Sequence, residues 1–251
     1  MIETDFFSSV SSDYARYRPR YPEVLIDWVA GLCRDRHLAW DVACGSGQST
    51  LSLSSRFECV VGSDASAAQL GNTPAIRNIE WRVGTESHSG LNAGSVDLIT
   101  VAQALHWFDL EGFWKECRRV LTPAGIVAVW CYGTARIGHP GANRIFQKFY
   151  HEVVAKHWPN GRRLVEEGYA GVEFPFVHIP SPDFQMVAQW NAAELAGYCA
   201  SWSATKRCRE ETGVDAIPEL LGALECELGG GLMEVNWPLH VHAGRMFHVE
   251  H

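Results

Sequence analysis

The feature that most constrains the fold is the stretch from Leu38 to Thr50, which reads LAWDVACGSGQST. Its first part is apolar, as expected of a short buried strand, and the apolar run ends at Gly45 and Gly47. The residues after the glycines, QSTLSL, can start a helix. A strand, a glycine turn and a helix N-terminus together form a ligand-binding corner in an open parallel sheet. The glycines let a ligand approach the backbone, and the first N–H groups of the helix can bind an anionic group.

Two classes of ligand use such a corner, dinucleotides and S-adenosylmethionine (SAM). The dinucleotide fingerprint G-x-G-x-x-G, started at Gly45, requires a third glycine where Thr50 stands. That glycine serves close packing of the helix on the strand around a pyrophosphate. Its absence disfavours an NAD-dependent oxidoreductase, which stays the alternative from a different class.

A carboxylate follows the next predicted strand at a spacing that suits a nucleoside ligand. The apolar run Cys59–Val61 leads to Asp64, 17 residues after Gly47. An acidic residue about 20 residues past a glycine loop can accept hydrogen bonds from ribose hydroxyls. The alternative is that Asp64 is the N-cap of the helix that follows. Given the glycine loop, we favour ribose binding.

The composition is that of one globular domain. The 251 residues are 47% hydrophobic and 20% charged, which is ample for a core. The net charge of −8 disfavours a nucleic-acid partner, whose binding surface would be basic. No apolar run is long enough for a membrane span, and the N-terminus has no signal-peptide pattern. The 8 cysteines include no C-x-x-C pair, so they predict reduced thiols in a cytoplasmic protein.

Histidine pairs near the C-terminus are the candidate metal ligands. They are His240 with His242 and His248 with His251, and Glu250 lies beside the second pair. The sequence offers no fourth ligand. We therefore predict no metal site.

Strands alternate with helices up to Trp130, which predicts an α/β sheet with right-handed crossovers. The further predicted elements of this part are strands over Ile79–Gly84, Val96–Val101 and Gly125–Trp130, a helix from Asp109 and a turn at 122–125. Beyond Trp130 the pattern is less regular. There the sequence predicts helices over Asn143–Trp158, from a capping box at Asn191 and over Val214–Leu228, and strands over Phe174–Ile179 and Val235–Val241.

An aromatic and basic segment, residues 5–22, precedes the first strand. Tyr14, Tyr17 and Tyr21 are spaced so that they could share a helical face, until Pro19 interferes. Such a segment can pack on the body of the protein as a helix, or it can form a lid over a ligand. Composition does not decide between the two.

The motifs in this order resemble those of class I SAM-dependent methyltransferases, specifically the methyltransferase type 11 group close to trans-aconitate methyltransferase-like proteins. The matching segments are DVACGSGQST (41–50), VVGSDAS (60–66), VDLITVAQALHWFD (96–109), RRVLTPAG (118–125), YARYRPRYP (14–22), SWSAT (201–205) and VNWPL (235–239). Two positions depart from the pattern, Ala43 and Ala124, where glycine is common. Both residues are small, so the resemblance to a SAM site holds.

The resemblance implies a Rossmann-like α/β fold with a seven-stranded mixed sheet of order 3-2-1-4-5-7-6, in which strand 7 is antiparallel and helices flank the sheet. It implies one domain, 1–251, with an N-terminal lid at 1–22. The SAM-binding core would span 38–131. The substrate-side helices and the last two strands would lie in 132–245.

The resemblance also implies the residues of the SAM site. Gly45 and Gly47 would flank the methionine part, Thr85 and Glu86 would lie at the adenine, and Ala102 and Gln103 would lie below the sulfonium. The full expected set is Tyr14, Asp41, Ala43, Gly45, Gly47, Asp64, Ala65, Thr85, Glu86, Ala102 and Gln103.

Methyl transfer from a sulfonium needs positioning and a dry site, and proximity supplies roughly 7–11 kcal/mol of the barrier. Tyr14, Tyr17 and Trp107 are candidates to hold the cation with their aromatic faces. Arg18 could grip a carboxylate, and His106, just past the fourth strand, could be a general base or merely shape the pocket.

The sequence thus predicts a SAM-dependent methyltransferase that produces S-adenosylhomocysteine (SAH) from SAM and methylates a small molecule, by family analogy an oxygen of a carboxylic acid. The alternative acceptor is a phenol or alcohol, with His106 as base. A non-catalytic SAM-binding protein is a further alternative. We expect a monomer or a weak homodimer, without a nucleic-acid or membrane partner.

Overall fold

A computed structural model describes residues 19–246 of the chain. Its strands are β1 (Leu38–Val42), β2 (Cys59–Asp64), β3 (Ile79–Val83), β4 (Val96–Ala102), β5 (Leu121–Tyr132), β6 (Arg136–Ile137), β7 (Val177–Ile179), β8 (Phe184–Trp190) and β9 (Met233–Arg245). Its α-helices are α1 (Glu23–Gly31), α2 (Gln48–Leu53), α3 (Ala67–Leu70), α4 (Leu110–Val120), α5 (Pro140–Lys148), α6 (Arg162–Glu166), α7 (Ala192–Ala200), α8 (Ser203–Thr212) and α9 (Ile217–Leu228).

All of these strands belong to one mixed sheet. Its order is β3-β2-β1-β4-β5-β9-β6, and β7 and β8 also pair with β9. Strands β1 to β5 are parallel, and β9 runs antiparallel to β5. The predicted Rossmann-like fold, the order of the first five strands and the antiparallel last strand are therefore confirmed.

The predicted count of seven strands is wrong, because residues 19–246 form nine. The position expected for a single sixth strand, the edge of β9 opposite β5, is shared by two short segments, β7 and β8. The third short segment, β6, pairs with Val235 and Asn236 on the same edge of β9 as β5. At 13 residues, β9 is long enough to pair with several segments. It also extends beyond the predicted Val235–Val241 at both ends.

The central parallel strands β1, β2 and β4 are buried on both faces, which explains their largely apolar composition. Along β1, Ala39 faces a cluster that contains Leu25 and Ile26 of α1. Trp40 faces the opposite cluster, which contains Phe113 of α4. Because parallel strands end at the same edge, the loops after β1, β2 and β4 meet there.

The turn predicted at 122–125 is a bulge. Strand β5 begins directly after α4, at Leu121, which pairs with Val96. The next pair is Leu98 with Ile126, so four residues of β5 loop out between the two pairs. Thr122 to Gly125 thus interrupt the ladder without ending the strand.

The single helix predicted over Asn143–Trp158 is wrong. Helix α5 ends at Lys148, and a π turn (Phe149–Val153) and a 3-10 turn (Ala155–His157) follow. These turns let rings on both sides of the break pack on Trp202. The ring centroids of Phe149, Tyr150 and Trp158 lie 6.2, 5.7 and 5.4 Å from that of Trp202.

The remaining predictions for the second half are partly confirmed. The capping box at Asn191 is present at the start of α7. Helix α9 begins at Ile217 rather than Val214, and β7 begins at Val177 rather than Phe174. Within residues 19–246, no helix combines the length and apolarity that a membrane crossing requires.

Candidate active site

The glycine loop lies between β1 and α2 and turns sharply. Three of its residues have left-handed backbone angles, Ala43 (φ 52°), Gly45 (φ 56°) and Gly47 (φ 84°). For a residue with a Cβ such as Ala43, this conformation costs on the order of 1–3 kcal/mol and persists only where the surroundings enforce it. Strain of this kind is concentrated at ligand sites.

Asp41, on β1, fixes the glycine loop through hydrogen bonds to its side chain. The residue is 1% exposed. Its Oδ2 accepts hydrogen bonds from the hydroxyls of Ser49 (2.7 Å) and Thr50 (2.6 Å), and its Oδ1 accepts one from Thr100 (2.7 Å). Burial raises the pKa of Asp41, and the three hydroxyl donors oppose that rise. Asp41 was predicted to bind the cofactor, but its oxygens join β1, α2 and β4, so we assign it to positioning the loop.

The two glycines of the loop are needed for different reasons. A Cβ on Gly45 would meet no atom of the described chain within 4 Å, so this side of the loop is open to a ligand. A Cβ on Gly47 would lie 2.3 Å from the Trp81 indole, which also packs on Gly62. Gly45 therefore fits a cofactor cradle, whereas Gly47 makes room for Trp81, a contact that no sequence signal indicated.

Asp64 ends β2 beside the glycine loop. Its Oδ2 accepts a hydrogen bond from the Gly45 N–H (2.9 Å), and its Oδ1 accepts one from the Ser66 N–H (2.8 Å). Burial raises the pKa of Asp64, and these two hydrogen bonds partly oppose that rise. A carboxylate has about four acceptor positions, so Asp64 keeps capacity for ribose hydroxyls. The alternative N-cap role is wrong, because the cap of α3 is Ser66, whose side chain accepts from the Gln69 N–H.

Three further loop residues expected to contact the cofactor, two of them at the adenine, lie at the same edge. Ala65 is exposed beside Asp64. Thr85 forms an isolated antiparallel bridge with His88. Glu86 accepts a hydrogen bond from the Asp109 N–H at 3.2 Å, which joins the loop after β3 to the start of α4.

Ala102 and Gln103 end β4 next to the loop. Gln103 has a left-handed φ of 59°. Its side-chain amide donates to the Tyr132 carbonyl (3.0 Å) and accepts from the Tyr132 N–H (2.8 Å). The predicted cofactor contact of Gln103 would therefore come from its backbone, since both groups of its amide pair with β5.

The candidate residues Tyr14, Tyr17 and Arg18 lie outside the described residues, as do His248, Glu250 and His251. Pro19 and Tyr21, which follow them in the chain, contact the helix after the glycine loop. Gln48, the first residue of α2, donates to the Pro19 carbonyl (3.2 Å) and accepts from the Tyr21 N–H (3.1 Å). This contact was not predicted from the sequence, since Gln48 carries no motif signal of its own.

His106 lies in a 3-10 turn (Leu105–Trp107) directly after β4. Its Nδ1 is 3.0 Å from the hydroxyl of Tyr169, which is 1% exposed. Burial, and next the charge of Arg162, lower the pKa of His106 to about 4. The Trp107 ring lies 4.8 Å from the His106 ring, tilted by 43°, and Trp107 is 49% exposed.

The Tyr169 contact is the basis on which we assign the tautomer of His106. Burial raises the pKa of Tyr169, so its hydroxyl keeps its proton and can donate it to Nδ1. We therefore assign the ring hydrogen of neutral His106 to Nε2. Tyr169 lies 63 residues from His106 in the chain and has a left-handed φ of 61°, and no sequence signal predicted its place in the site.

The geometry has a counterpart in known proteins. The family model described as a methyltransferase domain matches residues 40–129. A methyltransferase candidate from Dictyostelium discoideum is 32% identical over 245 residues, covering 94% of this chain and 93% of that protein. This chain belongs to the SAM-dependent methyltransferase family.

Two further comparisons agree with this family. A solved structure described as a candidate type II methyltransferase from Anaeromyxobacter dehalogenans superposes on the methyltransferase with a TM-score of 0.85. It has 36% identity and covers 92% of this chain and 99% of that one. A candidate SAM-dependent methyltransferase from Saccharomyces cerevisiae is 26% identical over 174 residues, 64% of this chain and 60% of that protein. Because these proteins are all described as methyltransferases, the alternative of an NAD-dependent oxidoreductase is wrong.

Asp64→Ala in the methyltransferase is expected to weaken SAM and SAH binding by roughly 1–3 kcal/mol, because a carboxylate that accepts hydrogen bonds from the ligand is lost. Titration calorimetry measures this change. Asp64→Asn, which keeps an acceptor oxygen but no charge, is the matched control and should lose less. Unchanged affinity in Asp64→Ala would remove the ribose role.

Proposed function

We propose that the enzyme transfers the methyl group of SAM to a carboxylate oxygen of a small acid. The observation that carries this proposal is the environment of His106, whose ring contacts the Tyr169 hydroxyl and packs against the residue before α6. An effective general base has a pKa near the working pH. A histidine with a pKa of about 4, whose Nδ1 accepts from Tyr169, is a poor base for a hydroxyl acceptor. A carboxylic acid, with an ordinary pKa near ~4, is already ionised at neutral pH and needs no base.

The chain's own residues would hold the donor at the edge formed by β1, β2 and β4. SAM supplies a methyl group that is already activated by its sulfonium. Asp64 offers acceptor capacity for the ribose, and Gly45 leaves open space beside the loop. Asp41 keeps the loop in shape through its three hydroxyl partners. The protein's contribution is then mainly orientation and exclusion of water.

We further propose that the segment before residue 23 closes over the donor as a lid. The clamp between Gln48 and the backbone of Pro19 and Tyr21 supports this, because it ties the segment to the glycine loop. On this proposal Tyr14 and Tyr17 face the sulfonium, and Arg18 reaches the acceptor.

His106→Ala is the test of the acceptor class, once a screen of small acids and phenols for SAM-dependent SAH production has found a substrate. A pKa of about 4 keeps His106 neutral from pH 6 to 9, so kcat/KM should be flat over that range. His106→Ala should keep more than about a tenth of kcat/KM, since no general base, worth about 10²–10⁴-fold, is lost. Arg18→Ala should lose most of the activity.

His178→Ala, an exposed histidine on β7, is the control. The opposite pattern would move the acceptor to a hydroxyl group. In that case His106→Ala loses about 100-fold or more, and the wild-type rate falls as the pH drops through the ordinary histidine range near ~6.5. A folded chain that binds SAM but produces no SAH with any acceptor would favour a non-catalytic SAM-binding protein.

A further inference from the structure

Arg162, the first residue of α6, has an unusual environment for a guanidinium. Its side chain is 16% exposed. The guanidinium carbon lies 4.3 Å from the ring centroid of Trp158 and 5.5 Å from that of Tyr150. Its Nε donates to the Tyr150 hydroxyl (2.9 Å) and to Glu166 (3.3 Å), and Tyr150 in turn donates to Glu166. The aromatic faces and these bonds hold the guanidinium in one orientation.

Only one edge of this guanidinium is satisfied by the described part of the chain. Both hydrogen bonds to Tyr150 and Glu166 use Nε. Within residues 19–246, no hydrogen bond or ion pair engages Nη1 or Nη2 of Arg162. A largely buried cation whose Nη1 and Nη2 have no partner among residues 19–246 suits a carboxylate, which can bind such a fork in two places.

The position of Arg162 connects it to the reacting edge of the sheet. A Cβ on the preceding residue, Gly161, would lie 3.0 Å from Cδ2 of His106, so the start of α6 packs on the turn after β4. The charge of Arg162 also lowers the pKa of His106 and opposes the rise in the pKa of Cys131 on β5. Arg162 therefore lies by the carboxyl ends of β4 and β5, where ligands bind in open α/β sheets.

We propose that the Arg162 guanidinium binds a carboxylate of the acceptor and so selects anionic substrates. This inference rests on the proposed function, because it requires an acidic acceptor. Glu166 then competes with the acceptor for the same cation. The neighbouring pair Arg163–Glu167 has the same spacing on the same helix, but the Arg163 side chain is 83% exposed. Arg163 thus provides a matched control.

The experiment measures binding of succinate and benzoate to the SAH-loaded protein by calorimetry, with succinamide and benzamide as uncharged counterparts. Arg162→Gln should weaken acid binding by about 10-fold or more, equivalent to about 1.4 kcal/mol. It should leave SAH affinity and amide binding unchanged. Arg162→Lys keeps the charge without the fork and should lose less, and Arg163→Gln should lose nothing. Glu166→Gln should tighten acid binding, because it removes the competing carboxylate.

A second readout is optical. Because Arg162 covers Trp158, acid binding should change tryptophan fluorescence, and Trp158→Phe should abolish that change. The proposal is overturned if neither acid binds the wild-type protein, if Arg162→Gln and Arg163→Gln behave alike, or if Glu166→Gln weakens acid binding. If Arg162→Gln does not fold, the acid affinities of Arg162→Lys and Glu166→Gln still test whether Arg162 binds the acid. If Arg162→Gln methylates an acid with a normal KM, only the role of Arg162 is contradicted. If the wild-type enzyme methylates uncharged acceptors and no acid, the proposed acceptor class itself is wrong.

Discussion

Asp41→Ala is expected to lower the free energy of unfolding by about 3 kcal/mol or more and to weaken SAH binding by at least about 10-fold. Asp41 accepts from three hydroxyls inside the protein. Each hydrogen bond to a charged group contributes about 1.5–3 kcal/mol, and its loss leaves a buried hydroxyl without an acceptor. Two of these hydroxyls, on Ser49 and Thr50, lie in the first turn of α2, so the loop that carries Gly45 and Gly47 loses its support.

Asp97→Ala is the matched control for this prediction. Asp97 is also buried on a strand, at 5% exposure. It accepts from the His37 and Leu38 N–H groups at 2.8 and 3.2 Å, at the opposite end of the sheet from the glycine loop. Denaturant unfolding should show a loss of stability in both variants. Calorimetry on the folded proteins should show weakened SAH binding only in Asp41→Ala, and equal SAH affinities would contradict the positioning role.

Gly47→Ala is expected to destabilise the protein by about 3 kcal/mol, the combined effect of a left-handed φ for alanine and overpacking against a large side chain. The φ of 84° and the 2.3 Å approach of the Trp81 indole both act at this position. Gly47 is also the N-cap of α2, so the strain is transmitted to the helix. Thermal or denaturant unfolding measures the loss.

Gly45→Ala separates the two roles of glycine in the loop. Its φ of 56° predicts a strain of only about 1–2 kcal/mol, because no described atom would contact the added methyl group. Its larger effect should be on SAH affinity, since the methyl group occupies the open side of the loop. The double variant Gly47→Ala with Trp81→Leu should be less destabilised than the sum of the two single variants. Strict additivity would show that Trp81 is not the obstacle.

The sequence by itself determined the first half of the fold and the location of the cofactor corner. Buried parallel strands are continuous apolar runs, which can be recognised in one sequence. The glycines and the acidic residue that follow these strands are also local signals. The order of motifs added the family, and with it the antiparallel last strand. Irregular segments were predicted less well. β8 alternates Phe184, Met186, Ala188 and Trp190 with three less buried residues, a short signal that was missed.

Only the tertiary structure decided what the polar side chains of the site do. Asp41 and Thr100 are 59 residues apart, and His106 and Tyr169 are 63 apart. Pairings of that range depend on how strands and helices pack, and no local periodicity encodes them. For the same reason the sequence did not show that the side chains of Asp41 and Gln103 pair inside the protein, and their cofactor contacts stay predictions. The depressed pKa of His106 arises from burial and from the charge of Arg162, and both exist only once α6 has packed against the turn after β4.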